Sequence, residues 1–290
     1  MNTERNFSKL LRAKYEQGKN LCIGLDPVED KLPSAIRTGN TVADYRRLLF
    51  PTVTATPDIA GAYKPNWAFF LEQGPDGMIL LHDLIEHIKK VAPSVPVILD
   101  AKIGDIDKSN LPYVRLVFDY FKADAVTVHP TLGGLAMKPF WSCSDKGVFV
   151  LARTSNEGAG EFQDLCVNGS ELNPPLDVPV SLSEAFAHNV AHGWNQHDNC
   201  GIVAGATNPG MVQKLRWKAL NMNILIPGIG TQEGDLEGSI KGGRLDNGHG
   251  FLVNVSSGIT QASKGEDFES AAYTAALGYH QQIQQFNKPQ

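Results

Sequence analysis

Eight short apolar runs alternate with segments of helical periodicity along this chain, and this alternation constrains its fold more than any other feature. Each run is four to six residues long, as expected of strands in a sheet that is covered on both faces. Strands that alternate with helices are predicted to be parallel, because each helix provides the crossover that a parallel neighbour needs. The runs are Leu21–Leu25, Gly61–Lys64, Val95–Asp100, Ala125–His129, Gly147–Ala152, Gly201–Ala204, Ile224–Pro227 and Gly250–Val255.

The segments between the runs have the pattern of amphipathic helices. Over Met78–Val91, apolar residues recur every three or four positions and charged residues occupy the opposite face. The segment Ser181–Trp194 begins with Ser181 and has Glu184 three residues later, which is the pattern of an N-terminal capping box. The other two predicted helices are Met211–Leu220 and Asp267–Phe286.

Eight strand–helix units predict an α/β fold, a single (β/α)8 TIM barrel that forms one domain over residues 1–290. Barrels of this kind commonly use about 200–250 residues or more as one domain. The pattern leaves an open doubly wound sheet as the alternative. The longest irregular segment, residues 156–180, is rich in glycine, asparagine and proline, and it is predicted to form a loop excursion over one end of the barrel.

Composition and charge exclude several classes of function. The 26 basic and 31 acidic residues leave a net charge of −5, which argues against a nucleic-acid partner. No apolar run approaches the length of about 20 residues that a membrane span needs, and the opening segment lacks the apolar core of a secretory signal. The cysteines and histidines show no CxxC, HxH or HExxH spacing. We therefore expect a cytoplasmic protein with no membrane partner and no metal site.

Charged residues close three of the runs, at the end of the barrel where active sites of this fold lie. Asp26 follows the first run, Lys64 ends the second, and Asp100 ends the third. Lys102 lies two residues after Asp100. Residues two apart on a strand share one face, so Asp100 and Lys102 are both predicted to point into the barrel mouth. One such residue alone is usually a cap or a loop residue. Their co-occurrence predicts a barrel enzyme with a charged mouth, suited to a phosphorylated small molecule.

The segment Asp100-x-Lys102-x-x-Asp105-Ile106 resembles the signature of the orotidine 5′-phosphate decarboxylase family, and in particular of its longer bacterial subfamily, type 2. The resemblance covers nearly the whole chain. It implies a (β/α)8 barrel, a homodimer with sites at the interface, and conversion of orotidine 5′-phosphate (OMP) to UMP and carbon dioxide in de novo pyrimidine biosynthesis, with no cofactor. The other markers are Gly24-Leu25-Asp26-Pro27, Lys64-Pro65-Asn66, Thr154-Ser155-Asn156, Gly205-Ala206-Thr207 and Pro227-Gly228-Ile229-Gly230-Thr231-Gln232.

The resemblance also implies four catalytic residues. Lys102 would donate a proton to carbon 6 of the pyrimidine as carbon dioxide leaves, and Asp100 would sit beside the departing carboxylate. Lys64 would belong to the same charged network and to the ribose side of the site. Asp105 would reach across the dimer interface into the site of the partner subunit.

Seven further residues would contact the substrate by the same resemblance. Asp26 matches a residue on the ribose side, Ser155 a serine that contacts the pyrimidine, and Gln232 a glutamine near pyrimidine and phosphate. Ile106 would line the partner's pocket. The complete set is Asp26, Ile106, Ser109, Ser155, Pro227, Gln232 and Ser257.

The sequence departs from the family pattern in three places. Ser257 stands where the family has an arginine that grips the phosphate, Asp107-Lys108-Ser109 stands where Gly-Asn-Thr is common, and Ile103 stands where the subfamily commonly has arginine. The departure at Ser257 leaves open a catalytically impaired homologue that binds a nucleotide or partner without turnover. A magnesium-dependent decarboxylase of the same barrel suite is a third hypothesis, disfavoured by the pyrimidine-side markers Ser155 and Gln232.

Overall fold

Eight parallel strands close into a barrel in the computed structural model, which describes residues 5–230 and 234–288. The first and last strands pair in parallel, with Leu21 opposite Val253, and the ring closes through bridges from Tyr63 to Val97 and from Asn66 to Asp100. This closure confirms the predicted (β/α)8 barrel and excludes the open doubly wound sheet. The strands are β1 (Leu21–Leu25), β2 (Ala62–Pro65), β3 (Ile98–Ile103), β4 (Ala125–Val128), β5 (Gly147–Arg153), β6 (Cys200–Ala204), β7 (Asn223–Ile226) and β8 (Phe251–Val255).

Helices connect the strands, and all four predicted ones are confirmed with shifted ends. The capping box forms as predicted: the Ser181 hydroxyl accepts from the Glu184 N–H, and the Glu184 carboxylate accepts from the Ser181 N–H. No helix in the described ranges is long and apolar enough to cross a membrane. The α-helices are α1 (Phe7–Glu16), α2 (Thr41–Ala55), α3 (Ala68–Leu71), α4 (Gly74–Val91), α5 (Asn110–Val114), α6 (Gly134–Trp141), α7 (Gly160–Gln163), α8 (Leu182–Asn189), α9 (Pro209–Ala219), α10 (Leu236–Gly243), α11 (Ser257–Thr260) and α12 (Phe268–Phe286), with π-helical turns over Arg115–Tyr120 and Val190–Trp194.

The barrel interior changes from apolar to polar along the strands. Helix α1 packs against the amino-terminal end of the interior, where the rings of Phe7 and Phe149 form a T-shaped contact at a centroid distance of 5.8 Å. Because alternate residues of a strand share a face, the position two residues beyond an interior residue is again interior. That rule places a polar layer above the apolar one: Lys64 above Ala62, Asp100 above Ile98, Thr127 above Ala125, and Asn254 above Leu252.

The irregular segment at residues 156–180 holds short elements of its own. It contains helix α7 and a 3-10 turn at Gly169–Glu171, and Cys166–Val167 pairs with Val180–Ser181 as a small antiparallel hairpin. The segment follows β5 and is attached to its end by a two-pronged ion pair. Arg153 Nε and Nη2 lie 2.8 and 3.0 Å from the two carboxylate oxygens of Asp164.

Candidate active site

A cavity of about 580 Å³ opens at the carboxyl ends of the strands, directly above the polar layer. Such a location is where barrels of this fold place their chemistry. The cavity brings together residues from all eight strands or the loops that follow them. Seven of the eleven residues predicted for the site line it: Asp26, Lys64, Asp100, Lys102, Ser155, Pro227 and Ser257.

Asp100 is the centre of a hydrogen-bonded cluster of charges. Lys64 Nζ donates to Asp100 Oδ2 at 2.8 Å, and Lys102 Nζ donates to Asp100 Oδ1 at 2.7 Å. The hydroxyl of Thr127 donates to the same Oδ1 at 2.8 Å. Lys64 and Asp100 are only 3% and 8% exposed, whereas 46% of the Lys102 side chain is exposed. Lys102 therefore carries its ammonium into the open cavity while Lys64 holds the carboxylate from below.

The pairing keeps both buried groups of this cluster charged. Burial alone would raise the pKa of Asp100, but the ammonium groups of Lys64 and Lys102 and their hydrogen bonds outweigh it and hold that pKa below its usual range. Burial alone would lower the pKa of Lys64, but the carboxylates of Asp100 and Asp26 outweigh it and raise that pKa above its ordinary value. At neutral pH the site thus holds a fixed pattern of alternating charges.

The backbone at Lys102 departs from a regular strand. Its φ is +49°, in the left-handed region, and the pairing of β3 with β4 shifts register between Leu99 and Ile103. Lys102 N donates to Thr127 Oγ1 at 3.0 Å, which holds the bulge against β4. The side chains of Asp100 and Lys102 lie together at the barrel mouth, as predicted. The prediction assumed a regular strand, however, and the strand is bulged at this point. A non-glycine residue in this conformation costs about 1–2 kcal/mol, and such strain is concentrated at functional sites.

Two residues that line the cavity each carry a buried acceptor without a partner among the described residues. The acceptors are Asp26 Oδ1 and Asn254 Oδ1, from the ends of β1 and β8. A buried acceptor that lacks a donor costs about 1–3 kcal/mol, so a bound ligand with hydroxyl donors would relieve that cost. Asn254 and Thr127 were missed from the sequence. The two-residue period from Leu252 and Ala125 could have identified both of them.

The loops after β5, β6 and β7 form the far wall of the cavity. A Cβ at Gly205 would lie 2.7 Å from Ser155 Cα, so only glycine lets the loop that carries Ser155 come so close. Gly228 has a φ of +100°, which turns the chain sharply after β7. Ser257 lies at the start of α11 and lines this end, whereas Gln232 lies outside the described residues. Among the described lining residues, the cationic ones are Lys64 and Lys102.

Three predicted site residues lie away from the cavity of their own chain. Asp105, Ile106 and Ser109 are absent from its lining, and Ile106 is 58% exposed. They belong to the loop between β3 and α5, which packs against α6. The φ of Asp107 in this loop is +41°, a left-handed conformation that glycine adopts without strain and that other residues rarely adopt.

The cluster has the parts that proton transfer to a carbon anion requires. A protonated amine, fixed by a carboxylate and partly open to solvent, can stabilise a developing negative charge and then supply a proton to it. Over residues 5–230 and 234–288, no group of three or more His, Cys, Asp or Glu side chains is arranged to hold a metal ion.

Comparisons with known proteins agree on one family. A family model described as the orotidine 5′-phosphate decarboxylase / HUMPS family matches residues 19–269. The chain is 40% identical over 273 residues to the orotidine 5′-phosphate decarboxylase of Azoarcus sp. (strain BH72), covering 94% of this chain and 96% of that protein. It is 42% identical over 286 residues to that of Thermomicrobium roseum, covering 98% and 96%. The structure of Leishmania donovani OMP decarboxylase matches with a TM-score of 0.80 at 33% identity, covering 96% of this chain and 98% of that one.

Proposed function

The chain belongs to the orotidine 5′-phosphate decarboxylase family, and we propose that the cluster of Lys64, Asp100 and Lys102 carries out its reaction. The protein is a carboxy-lyase that converts OMP to UMP and carbon dioxide in pyrimidine biosynthesis. The observation that carries the assignment of the cluster is the half-exposed side chain of Lys102, whose ammonium is held at 2.7 Å by a buried carboxylate. Among the described residues, nothing supports the alternative of an impaired homologue.

Lys102 acts on the bond that breaks. When the bond between carbon 6 and the carboxylate breaks, its electron pair stays on carbon 6, in the plane of the ring, where the π-system cannot delocalise it. An ammonium fixed beside carbon 6 stabilises that charge as it develops and then transfers a proton to it. The product is UMP, and Lys102 is left as a neutral amine. Because nearly half of its side chain is exposed, it can recover a proton from water once the product leaves.

Asp100 has two roles in this proposal. Its carboxylate fixes the position of Lys102 Nζ, and Lys64 offsets its charge from the opposite side. It also lies where the substrate carboxylate must approach Lys102. Two like charges about 4 Å apart repel by roughly 4 kcal/mol at an effective dielectric constant of 20. That repulsion is lost as carbon dioxide leaves, so it favours the transition state over the bound substrate.

The remaining lining residues would hold the nucleotide. We assign Asp26 to the ribose hydroxyls, because its buried Oδ1 accepts from nothing among the described residues. Ser155 and Gln232 would contact the pyrimidine, with Pro227 beside it. The loops after β7 and β8, with Ser257, would surround the phosphate.

Decarboxylation is expected to need neither a metal nor an organic cofactor, because Lys102 supplies both the stabilising charge and the proton. Purified protein in excess chelator should therefore convert OMP, which is followed by the loss of OMP absorbance. Activity that disappears with chelator and returns with a divalent cation would contradict this proposal. No turnover under any of these conditions would instead favour the impaired homologue.

We also propose a homodimer that shares Asp105 between subunits. Asp105, Ile106 and Ser109 lie outside the cavity of their own chain, next to helix α6, where Leu135 is 85% exposed. Leu111 and Leu132 add further exposed apolar surface on the adjoining segments. Burial of this surface against a second copy would bring the Asp105 loop to the partner's cavity.

Mixed dimers test the shared site. Lys102→Ala and Asp105→Ala subunits should each be inactive alone, because each lacks one group of every site. A mixed dimer has one site with both groups intact, so an equimolar mixture should recover roughly a quarter of the wild-type activity. Subunit exchange is checked with two differently tagged chains. No recovery after complete exchange would show that Asp105 acts within its own chain or not at all.

Ser257→Arg is expected to raise kcat/KM for OMP by roughly 30- to 150-fold, since a charge-assisted contact to phosphate contributes about 2–3 kcal/mol. Serine cannot replace the bidentate grip of a guanidinium. The gain should be nearly absent for orotidine, which lacks the phosphate, and should weaken with added salt. An equal change for both substrates would mean that the arginine acts elsewhere in the cavity.

The charge of the nucleotide indicates where in the cell the enzyme works. OMP and UMP carry phosphate charge that a bilayer excludes, so we place the enzyme in the cytoplasm with its small-molecule partner.

We propose that residues 1–290 form one domain, because the elements of the barrel extend from Phe7 to Phe286.

A further inference from the structure

Asn110 is fully buried and binds both backbone groups of Asp105. Its Oδ1 accepts from the Asp105 N–H at 2.9 Å, and its Nδ2 donates to the Asp105 carbonyl at 2.6 Å. The same Nδ2 donates to the carbonyl of Ala136 at 2.6 Å. An asparagine amide has two N–H donors and one carbonyl acceptor group, and all of them are used here.

The rest of the Asp105 loop has few other restraints. Residues 106–109 are all exposed, and Asp107 adopts a left-handed conformation. Upstream, an imidazole nitrogen of His129 lies 3.1 Å from the Gly104 carbonyl. The Asp105 carboxylate itself accepts only a local bond, from the Ile106 N–H at 2.7 Å, among the contacts described. The buried Asn110 amide is therefore the main tie between Asp105 and the body of the protein.

The third bond of Asn110 connects this loop to the apolar surface of α6. Ala136 follows Leu135, which is the most exposed large apolar residue of the described chain. In the proposed dimer, the position of α6 relative to the partner would therefore set the position of Asp105 as well. A one-ångström misplacement of a catalytic group can cost about a hundredfold in rate, so such a tie has functional consequences.

We propose that Asn110 is a positioning residue that acts in trans: it holds the Asp105 backbone against α6 so that the carboxylate reaches the partner's cavity. This inference rests on the shared-site dimer proposed above. It predicts that loss of Asn110 damages the site of the other subunit and leaves the Lys102 of its own chain competent.

The test starts from the Asn110→Ala variant alone, whose kcat/KM for OMP should fall by about a hundredfold. This variant is then combined with other variants in mixed dimers. Mixed with Lys102→Ala chains, it should recover activity, because its own Lys102 then receives Asp105 from a chain with an intact Asn110. Mixed with Asp105→Ala chains, it should recover nothing, because neither chain offers a well-placed Asp105. The opposite pattern, recovery only with Asp105→Ala, would overturn the proposal and place the action of Asn110 in its own site.

Controls separate this inference from the dimer proposal and from misfolding. If Lys102→Ala and Asp105→Ala chains do not complement one another, the shared site itself fails; if they do, a failure of Asn110→Ala with Lys102→Ala contradicts only the role of Asn110. Asn199→Ala is the matched control, because the buried Asn199 amide also donates to backbone carbonyls, but at the other end of the barrel. It should lower stability and leave kcat/KM unchanged.

Assembly is measured by sedimentation. If Asn110→Ala does not dimerise, Asn110→Asp replaces it, since aspartate keeps the acceptor for the Asp105 N–H. A monomeric Asn110→Asp would overturn the proposal, because Asn110 would then act on assembly and not on the placement of Asp105.

Discussion

Lys102→Ala should lower kcat/KM for OMP by about 10⁴-fold or more, because it removes the proton donor and the stabilising charge together. A positioned general acid contributes about 10²–10⁴-fold, and one preorganised donor to a developing charge about 10²–10³-fold. Both contributions are made in the transition state, so kcat and kcat/KM should fall by similar factors while KM changes little. The measurement is the initial rate of OMP loss across a range of substrate concentrations.

Two further lysine variants separate the loss of the proton donor from the loss of positive charge and from a general effect of removing a lysine. Lys102→Arg keeps a positive charge, but a guanidinium cannot give up its proton in this pH range and has a different shape. It should therefore remain at least about a hundredfold below the wild type. Lys241→Ala is the control, since Lys241 forms an exposed pair with Glu237 on α10 and should leave the rate unchanged. A Lys102→Ala enzyme within tenfold of the wild type would exclude Lys102 as the proton donor.

The barrel could be predicted because burial imposes different periods on strands and helices. The apolar runs and the helix over residues 74–91 each bury a continuous face, and that demand is visible in one sequence. Helix α1 was not predicted as part of the barrel interior. Its apolar residues Phe7, Leu11 and Tyr15 could pack on any apolar surface, and only the closed ring supplies the opening that they fill.

The charged mouth was predictable in composition and only partly in geometry. Asp26, Lys64 and Asp100 lie in or just after the carboxyl-terminal half of apolar runs in the sequence, and the carboxyl ends of parallel strands converge. The bulge at Lys102 depends on a bond to Thr127, which is 25 positions away in the sequence. The tie from Asn110 to Ala136 likewise spans 26 positions. Contacts of this kind are set by tertiary packing, so no local pattern records them.

Asp100→Asn should lower the free energy of unfolding by about 3–5 kcal/mol near neutral pH, because it removes the carboxylate that pairs with the buried ammonium of Lys64 and leaves Asp26, which forms no hydrogen bond to it among the described residues, as the nearby acid. The measurement is denaturant unfolding of both proteins across a range of pH. Lys64 and Asp100 are almost fully buried, so solvent screens their interaction little.

The difference in unfolding free energy between the wild type and Asp100→Asn is expected to depend on pH, both in acid and in alkali. The folded pKa of Asp100 is depressed, so its contribution is complete above the unfolded value of about 4 and is lost as the pH falls below it. The folded pKa of Lys64 is raised, so its contribution is complete below its ordinary value of 10.5 and is lost as the pH rises above it. The stability difference between wild type and Asp100→Asn should therefore be widest between these limits and narrow outside them.

Burial, and not the length of the ion pair, is expected to decide the size of this effect. Glu237→Gln provides the comparison, because Glu237 Oε1 lies 2.6 Å from Lys241 Nζ, no farther apart than the 2.8 Å between Asp100 and Lys64. That exposed pair is screened by water, and its removal should cost only about 0.5 kcal/mol. If Asp100→Asn were as mild as Glu237→Gln, the buried cluster would not be held together by charge, and the cavity would have to keep Lys64 neutral or hydrated.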